Sequence, residues 1–555
     1  MNLLCVFGRR ERLRFGAERV EGVAVNVVSS AEEPAKQFRN LQSEDVAYPA
    51  KLIIGRLYPF LAIWVSIKLV VPGPVPVLDD RGQQRDNPGM RAYHLENLSH
   101  DAVHGYIPFC SSAELEAGEF SERQIIDHPW IQRLRHIHQL QTAWWVFPTA
   151  EHTRFQHVLG VMHLASRAVE KLYTSLSDIC LDAPSRGYVE SLMRMAGLLH
   201  DVGHGPFGHF LDTYFLSGFG ETHETLGARI IRDELGELLR GIRRNPNSRL
   251  EEGEELDPNQ IAWLIQRPQS EDESEQPRWL RLLRSLLSGI YTIDNMDFVL
   301  RDAYMSGYSR DAYDLERLLH YSFFTEHGLT IHDRGVAALV KFMGVKAELF
   351  RSIYFHRTVK AIDLTLADIF KSSKDYLFKG NPAENLAAYQ GFTESSLLVD
   401  VSRWSDSNDL ERRELGKQWK RLLSRAYTWQ MVCQRMLVFE ESDREVSSIF
   451  SDGEVVERKI RDRLSSATHD LPLRVDIARH IHRPHTHGPA GGQNFLYDSA
   501  RDRVRPLTTN ELFSHTPVSH RICRIYAHDQ EHRSELTSAL DSLLGGRGED
   551  DLTNM

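Results

Sequence analysis

Between Ala196 and His209 the chain reads A-G-L-L-H-D-V-G-H-G-P-F-G-H, which brings His200, Asp201, His204 and His209 into one short stretch. Neutral imidazole nitrogen and carboxylate oxygen suit a divalent cation: zinc, iron, manganese or magnesium. Residues 195–199 form an apolar helical run, and Gly203, Gly205 and Pro206 break it. A helix end of that kind brings neighbouring side chains to one point. A His-Asp pair alone is common and carries no function, so the weight falls on other segments. Arg154 and His157 stand at i and i+3 on one face of an expected helix, His223 is followed by Glu224, and a further segment runs from Asp294 to Asp302.

A divalent ion held by His157, His200, Asp201 and Asp294 would leave coordination positions open for water and a phosphate oxygen. His204 and His223 are then candidates to protonate a leaving oxygen or to stabilise phosphoryl charge, with Glu224 alongside. The alternative for each is a structural histidine. His209 and Asp212 are expected to orient His204 from behind. Phosphate also needs fixed cations. Lys346, Arg351, His356, Arg357 and Lys360 supply them, interleaved with Phe350, Tyr354 and Phe355; the alternative is an amphipathic helix with a solvated basic face.

His, His-Asp and Asp in that order resemble the HD-domain metal-dependent phosphohydrolases. More closely they resemble that superfamily's deoxynucleoside triphosphate triphosphohydrolases, the dGTPase-like family, including the vertebrate branch that joins a SAM domain to the HD domain. The likeness extends to Asp101-Ala-Val-His104-Gly105, to the segment from Asp127 to Leu140, to Val146-Phe147-Pro148, to Arg154 through Gly160 and to Gly307-Tyr308. It spans residues 95–385 strongly and 495–527 weakly. The resemblance implies hydrolysis of deoxynucleoside triphosphates to deoxynucleoside and inorganic triphosphate. It implies that Arg154 and Lys346 hold the triphosphate, with His356 and Arg357 nearby. It further implies that Gln139 and Asp302 contact the sugar 3′-hydroxyl, and that Leu140 and Tyr354 crowd the 2′ position. Phe298 departs from the vertebrate pattern, which has tyrosine there.

By the same resemblance Asp127, Gln132 and Arg135 match a guanine-reading triad, and Arg334 preserves one charge of a regulatory site. Asn97, His100 and His332 replace other contacts there. The implied partners are a dNTP substrate, a GTP or dNTP activator and further copies of the chain, as a dimer or tetramer. An ion pair between Asp127 and Arg135 is the alternative. Other HD chemistries stay open: nucleotidase, cyclic-nucleotide phosphodiesterase or alarmone hydrolase. So does a nucleotide-sensing assembly protein.

The elements expected to position these residues are mostly helical. Apolar recurrence at three and four predicts helix over 130–140, 158–172, 189–199, 225–239, 279–288 and 337–370, and again over 386–437. Short strands are expected at 471–477, 495–497 and 522–526. The expected fold is mainly α, an HD-domain helical core with a small α+β C-terminal appendage. Its expected parts are an extension at 1–94, the core at 95–385, a helical region at 386–470, the appendage at 471–544 and a disordered tail at 545–555. The extension reads as linker or as an over-extended gene start ahead of Met90, and no SAM-like module is recognised in the chain.

Composition bounds the rest. A chain of 555 residues, 41% hydrophobic and 26% charged, is ordinary for a globular protein. The net charge of −11 disfavours nucleic acid or an acidic membrane as partner, so a phosphate pocket must be a local basic patch. Cys5, Cys110, Cys180, Cys433 and Cys523 show no CxxC spacing, which points to a reducing, cytoplasmic setting. His480, His482, His485 and His487 sit among prolines and glycines and read as a solvated loop.

Overall fold

The computed structural model describes residues 3–7, 11–15, 93–267, 275–439, 449–481, 494–507 and 519–544. The chain divides into two units at Arg91/Ala92. In the first, β1 (Leu3–Phe7) pairs antiparallel with β2 (Glu11–Phe15).

The second unit is mainly α. It opens with an antiparallel hairpin, β3 (Glu96–Asp101) and β4 (Gly105–Cys110), followed by α1 (Glu122–Ile126) and α2 (Pro129–Gln132). Two long helices then form the centre: α3 (Arg154–Ile179) and α4 (Arg186–Leu199). Each starts at a hydroxyl-bearing cap, which satisfies backbone N–H groups the helix leaves open. Ser185 Oγ accepts from Tyr188 N at 3.1 Å, and Gln156 Oε1 accepts from Thr153 N at 2.7 Å. The two helices approach backbone to backbone at Gly197, where an added Cβ would lie 3.0 Å from the Val161 carbonyl oxygen. His157, one turn before Val161, and His200, one turn after Gly197, therefore face each other.

Short helices surround this pair: α5 (His209–Tyr214), α6 (His223–Asp233), α7 (Gly236–Arg240), α8 (Pro258–Ile265), α9 (Arg278–Arg284), α10 (Ile293–Met305) and α11 (Leu315–His320). Strands β5 (Ser322–Thr325) and β6 (Gly328–His332) lead into α12 (Val336–Leu349), a π-turn at Phe350–Tyr354, and α13 (Arg357–Leu377). After α14 (Leu386–Gly391), α15 (Glu394–Arg403) and α16 (Leu410–Leu423) come β7 (Gln430–Phe439), α17 (Gly453–Arg461), β8 (Leu473–Ile481), β9 (Asn494–Asp498), β10 (Arg503–Pro506), β11 (Ser519–Ala527) and α18 (Arg533–Leu544). One large apolar core, from Ile107 to Leu507, holds the helical body. A second, from Val432 to Leu544, lies behind the sheet β7-β11-β8. That sheet meets α13 through Ala361, Trp429 and Tyr526, with the Tyr526 hydroxyl donating to the Arg357 carbonyl at 3.0 Å.

Several expectations are corrected. Helix ends at His136 instead of running to residue 140: Gln139 N donates to the His152 carbonyl and Arg154 N to the Ile137 carbonyl, both at 3.0 Å, so this segment is extended beside the start of α3. The helix expected over 337–370 is broken by the π-turn, and His356 caps α13 by accepting from Thr358 N at 3.2 Å. The helical reading of 386–437 fails at β7, which pairs with β11 and belongs to the C-terminal sheet. The strands at 495–497 and 503–506 do not join that sheet. They extend the β5–β6 hairpin, β9 running parallel to β6 with Leu329 paired to Asn494. Residues 545–555 and His482, His485 and His487 lie outside the described residues. Among the described residues no helix is long and apolar enough to cross a membrane, and Cys110, Cys180, Cys433 and Cys523 are buried and unpaired.

Candidate metal centre

The facing helices α3 and α4 set His157 Nε2 3.2 Å from His200 Nε2, with the rings nearly perpendicular at 79°. The remaining nitrogen of each ring is committed. His157 Nδ1 lies 2.7 Å from Asp297 Oδ2, and His200 Nδ1 lies 2.9 Å from the Gly197 carbonyl oxygen. A carbonyl can only accept, so His200 carries its proton on Nδ1; the Asp297 carboxylate imposes the same on His157. Both Nε2 lone pairs then point at one spot. Asp294 Oδ1, from the first turn of α10, reaches the same spot, 3.1 Å from His157 Nε2 and 3.7 Å from His200 Nε2. Burial works against a charge on His157, but Asp294 and Asp297 outweigh it and lift its pKa to about 10. The site is a field that favours positive charge at His157 Nε2, and a divalent cation fits that donor set.

Asp201 stands at the edge of this group. Its Oδ1 is 3.4 Å from His200 Nε2 and equally 3.4 Å from His204 Nε2, while Oδ2 accepts from Arg154 Nη1 at 2.5 Å. Burial would raise the Asp201 pKa, but Arg154, His200 and His204 hold it well below the usual carboxylate range. Asp201 is therefore an anion shared between the two histidines and the guanidinium.

A second cluster of nitrogen and carboxylate groups lies beside the first: His204, His209, Asp212 and His223. Its geometry differs. His204 and His223 stack in parallel, 3.8 Å apart and 10° from coplanar, so their in-plane lone pairs do not converge. Asp212 Oδ2 takes His223 Nδ1 at 2.6 Å and His209 Nδ1 at 3.2 Å. Asp212 thus orients His223, not His204 as the spacing suggested, because α5 presents its carboxylate to the cap of α6. His204 is fully buried and neither ring nitrogen makes a hydrogen bond. Burial, reinforced by Arg154 and His223, keeps its pKa well below the ordinary value. Glu224 makes its hydrogen bonds to Arg267 and not to these rings, accepting from Arg267 N at 3.0 Å and Nε at 3.1 Å, and both residues line the adjoining cleft.

One cleft of about 500 Å³ opens onto both clusters. Gln139, Leu140, Arg154, Asp302 and Tyr354 all line it. Tyr354, placed by the π-turn, donates its hydroxyl to Asp302, whose other oxygen is 2.8 Å from His152 Nε2. Arg154 Nε and Gln139 Oε1 are buried without hydrogen-bond partners, a cost of about 1–3 kcal/mol each that a ligand's oxygen and hydroxyl would relieve. Five residues expected here are absent from the walls: His204, Lys346, Arg351, His356 and Arg357, with Arg351 Nη2 donating to Glu348 at 2.7 Å. Lys346 donates to Asn295 Oδ1 at 2.6 Å over the Phe298 ring, and burial pulls its pKa to about 8. His356 faces Phe147, and Arg357 offers its carbonyl to Tyr526. Of the expected cations Lys360 does line the cleft, and the walls also include Gln141 and Asp363, which were not singled out. Asp363 accepts from Thr142 Oγ1 at 2.5 Å and Gln141 Nε2 at 3.1 Å, and burial raises its pKa.

Of the regulatory candidates, Asp127 pairs with Arg123 on the surface at 3.2 Å and not with Arg135. Arg135 donates to Gln132 Oε1 at 2.7 Å and lies 3.6 Å from the centre of the Phe155 ring; the Arg334 side chain is exposed.

Residues 154–280 match the family model described as "HD domain", a span that contains His157, His200 and Asp201. The chain carries an HD domain. Outside that span, Asp294 comes from α10, downstream of the matched segment. Among relatives, an uncharacterized protein of Bacillus subtilis, YwfO, is 28% identical over 308 residues, 52% of this chain and 64% of that protein. The Gallus gallus deoxynucleoside triphosphate triphosphohydrolase SAMHD1 is 29% identical over 357 residues, 58% of this chain and 56% of its own length. The chain thus spans between about half and two thirds of these relatives. A crystal structure of a hypothetical protein from Aquifex aeolicus is similar in fold, with a TM-score of 0.57 at 21% identity, covering 80% of this chain and all of that one.

Proposed function

We propose that the chain is a metal-dependent phosphohydrolase that splits deoxynucleoside triphosphates into deoxynucleoside and inorganic triphosphate. The observation that carries this is the convergence of His157 Nε2, His200 Nε2 and Asp294 Oδ1 at the head of a cleft whose wall holds a buried guanidinium, Arg154. Deoxynucleoside triphosphate triphosphohydrolases are among its relatives.

A divalent ion bound there supplies Lewis acidity and an activated water. The protein supplies everything else. Arg154 neutralises phosphate charge from the first residue of α3, where the helix dipole adds to its own charge. His223, which lines the cleft, and His204, stacked on it, serve the departing 5′-oxygen. Asp212 keeps His223 Nδ1 protonated and compensates positive charge on the stacked pair. Tyr354 and Leu140 close the wall where a 2′-hydroxyl would sit, and Gln139 turns its unpartnered Oε1 toward a sugar hydroxyl. We extend the reading to activation by GTP or a dNTP and to a homo-oligomeric active form, on the strength of Asp127, Gln132, Arg135 and Arg334.

Incubation of the full chain with each dNTP and NTP in manganese or magnesium, with products resolved by anion exchange, tests this. Triphosphate plus deoxynucleoside is expected, and Asp201→Ala should abolish it. Monophosphate or diphosphate products would instead make the chain a nucleotidase-type HD enzyme.

A further inference from the structure

The turn Asp101-Ala-Val-His104-Gly105 joins β3 to β4 and contributes nothing to the walls of the cleft. Its side chains nonetheless run inward to α10. His104 Nε2 lies 2.7 Å from Asp297 Oδ1, across 193 positions of sequence. Asp297 Oδ2 lies 2.7 Å from His157 Nδ1. Arg301 closes the same carboxylate from the other side, donating from Nε at 2.8 Å and Nη2 at 2.9 Å. Arg301 is in turn held by Asp101, through Nη1 at 2.8 Å and Nη2 at 3.3 Å. Asp101 Oδ1 also accepts the backbone N–H groups of Val103 and His104, each at 2.9 Å, which fixes the turn that carries His104.

We propose that His104 and Asp297 are positioning residues of the metal centre: the β3–β4 turn clamps Asp297, and Asp297 sets the orientation and donor strength of His157.

The charges show why this is more than a structural strut. Two carboxylates, Asp101 and Asp297, share one guanidinium, so one negative charge is left over. It is directed at His157 Nδ1–H, where it increases the basicity of the nitrogen on the far side of the ring. The network is dry, with Asp297 fully buried and His104 only 2% exposed, so water does not weaken that field. The neighbouring helix is shaped around it. A Cβ on Gly160 would come 1.9 Å from Asp297 Oδ1 and 2.4 Å from Arg301 Nη2. Only glycine leaves room on α3, one turn from His157, for this carboxylate to reach the ring.

The inference rests on the metal centre of the proposed function but is read without nucleotide, so a wrong substrate assignment leaves its test intact. The full chain is stripped with chelator and titrated with Mn²⁺ against a chromophoric competitor. Asp297→Asn should weaken Mn²⁺ binding about 10–100-fold. His104→Ala should weaken it about tenfold, and His104→Gln, which keeps a donor near the position of Nε2, should recover most of the loss. Thermal unfolding of the metal-free variants separates a fold defect from a ligand defect. Should Asp297→Asn not fold, the Ala and Gln variants at His104 decide alone. Unchanged Mn²⁺ affinity in His104→Ala, or equal loss in the Ala and Gln variants, would overturn the proposal.

Discussion

His157 Nε2 and His200 Nε2 face each other at 3.2 Å while Asp297 and the Gly197 carbonyl occupy the opposite nitrogens of their rings. Two imidazole nitrogens aimed at one point repel unless a proton or a metal cation lies between them, and only the metal draws on both lone pairs at once. His157→Ala, His200→Ala or Asp294→Ala should therefore remove bound metal, measured as metal per chain after gel filtration. The wild-type chain should also gain thermal stability on metal addition, about 2.7 kcal/mol at a hundredfold excess over Kd, and these variants should not.

The stacked pair His204 and His223 is separate from that donor set. His204→Ala should lower kcat about 10²–10⁴-fold, the usual contribution of a proton-transferring group, with metal content unchanged. Asp212→Asn should act the same way through His223, since Oδ2 is the atom that holds its Nδ1. Loss of metal in either variant would merge the two clusters into one site.

The proposed function puts sugar selection at Leu140 and Tyr354, both of which line the cleft. Shortening Leu140 to Ala should raise kcat/KM for ribonucleotides relative to deoxyribonucleotides by roughly tenfold or more, since small changes in a packed pocket are worth about 1–3 kcal/mol. The ratio for paired substrates is the readout.

Gly160→Ala should destabilise the fold by about 1–3 kcal/mol, because the added methyl collides with Asp297 and Arg301. Urea unfolding of the metal-free chain measures it.

Acid sensitivity should have two parts. Burial, with His104 and Arg167 nearby, pushes the His163 pKa down to about 3, and burial with Arg357 and Arg524 pushes His356 down to about 4. The unfolded chain binds these protons near 6.5, so between 6.5 and these values it binds more protons than the folded one. The stability these two groups contribute is then complete above about 6.5 and falls as pH drops toward 4 and 3. His163→Asn should lessen the slope of that fall from about 6.5 downward, including the stretch between about 4 and 3 that His356 does not reach. The depressed carboxylates Asp101 and Asp212 act only lower, below the ordinary Asp range near 3.8.

Local spacing made the metal-ligand candidates readable: His200 and Asp201 are adjacent, and His157 and Asp294 sit in the first turns of helices with clear caps. What lay beyond reading was partnership across the fold. Nothing near Asp297 in sequence announces His104, and nothing near Asp212 says that α5 turns its carboxylate to His223 instead of His204. The same limit explains the strands. Residues 430–439 mix Met, Gln, Arg and Leu without a clean period, so only pairing with β11 reveals β7. Strand β9 was visible as a strand, but its parallel register with β6 depends on chain segments far apart.

The most direct test of the whole account is hydrolysis of dGTP and dATP in ¹⁸O-labelled water with manganese, followed by mass spectrometry of both products. Attack at the α-phosphorus predicts one ¹⁸O in the triphosphate, unlabelled deoxynucleoside, and no product from Asp294→Ala. Label in inorganic phosphate or in a nucleoside monophosphate, or label in the deoxynucleoside, would contradict it.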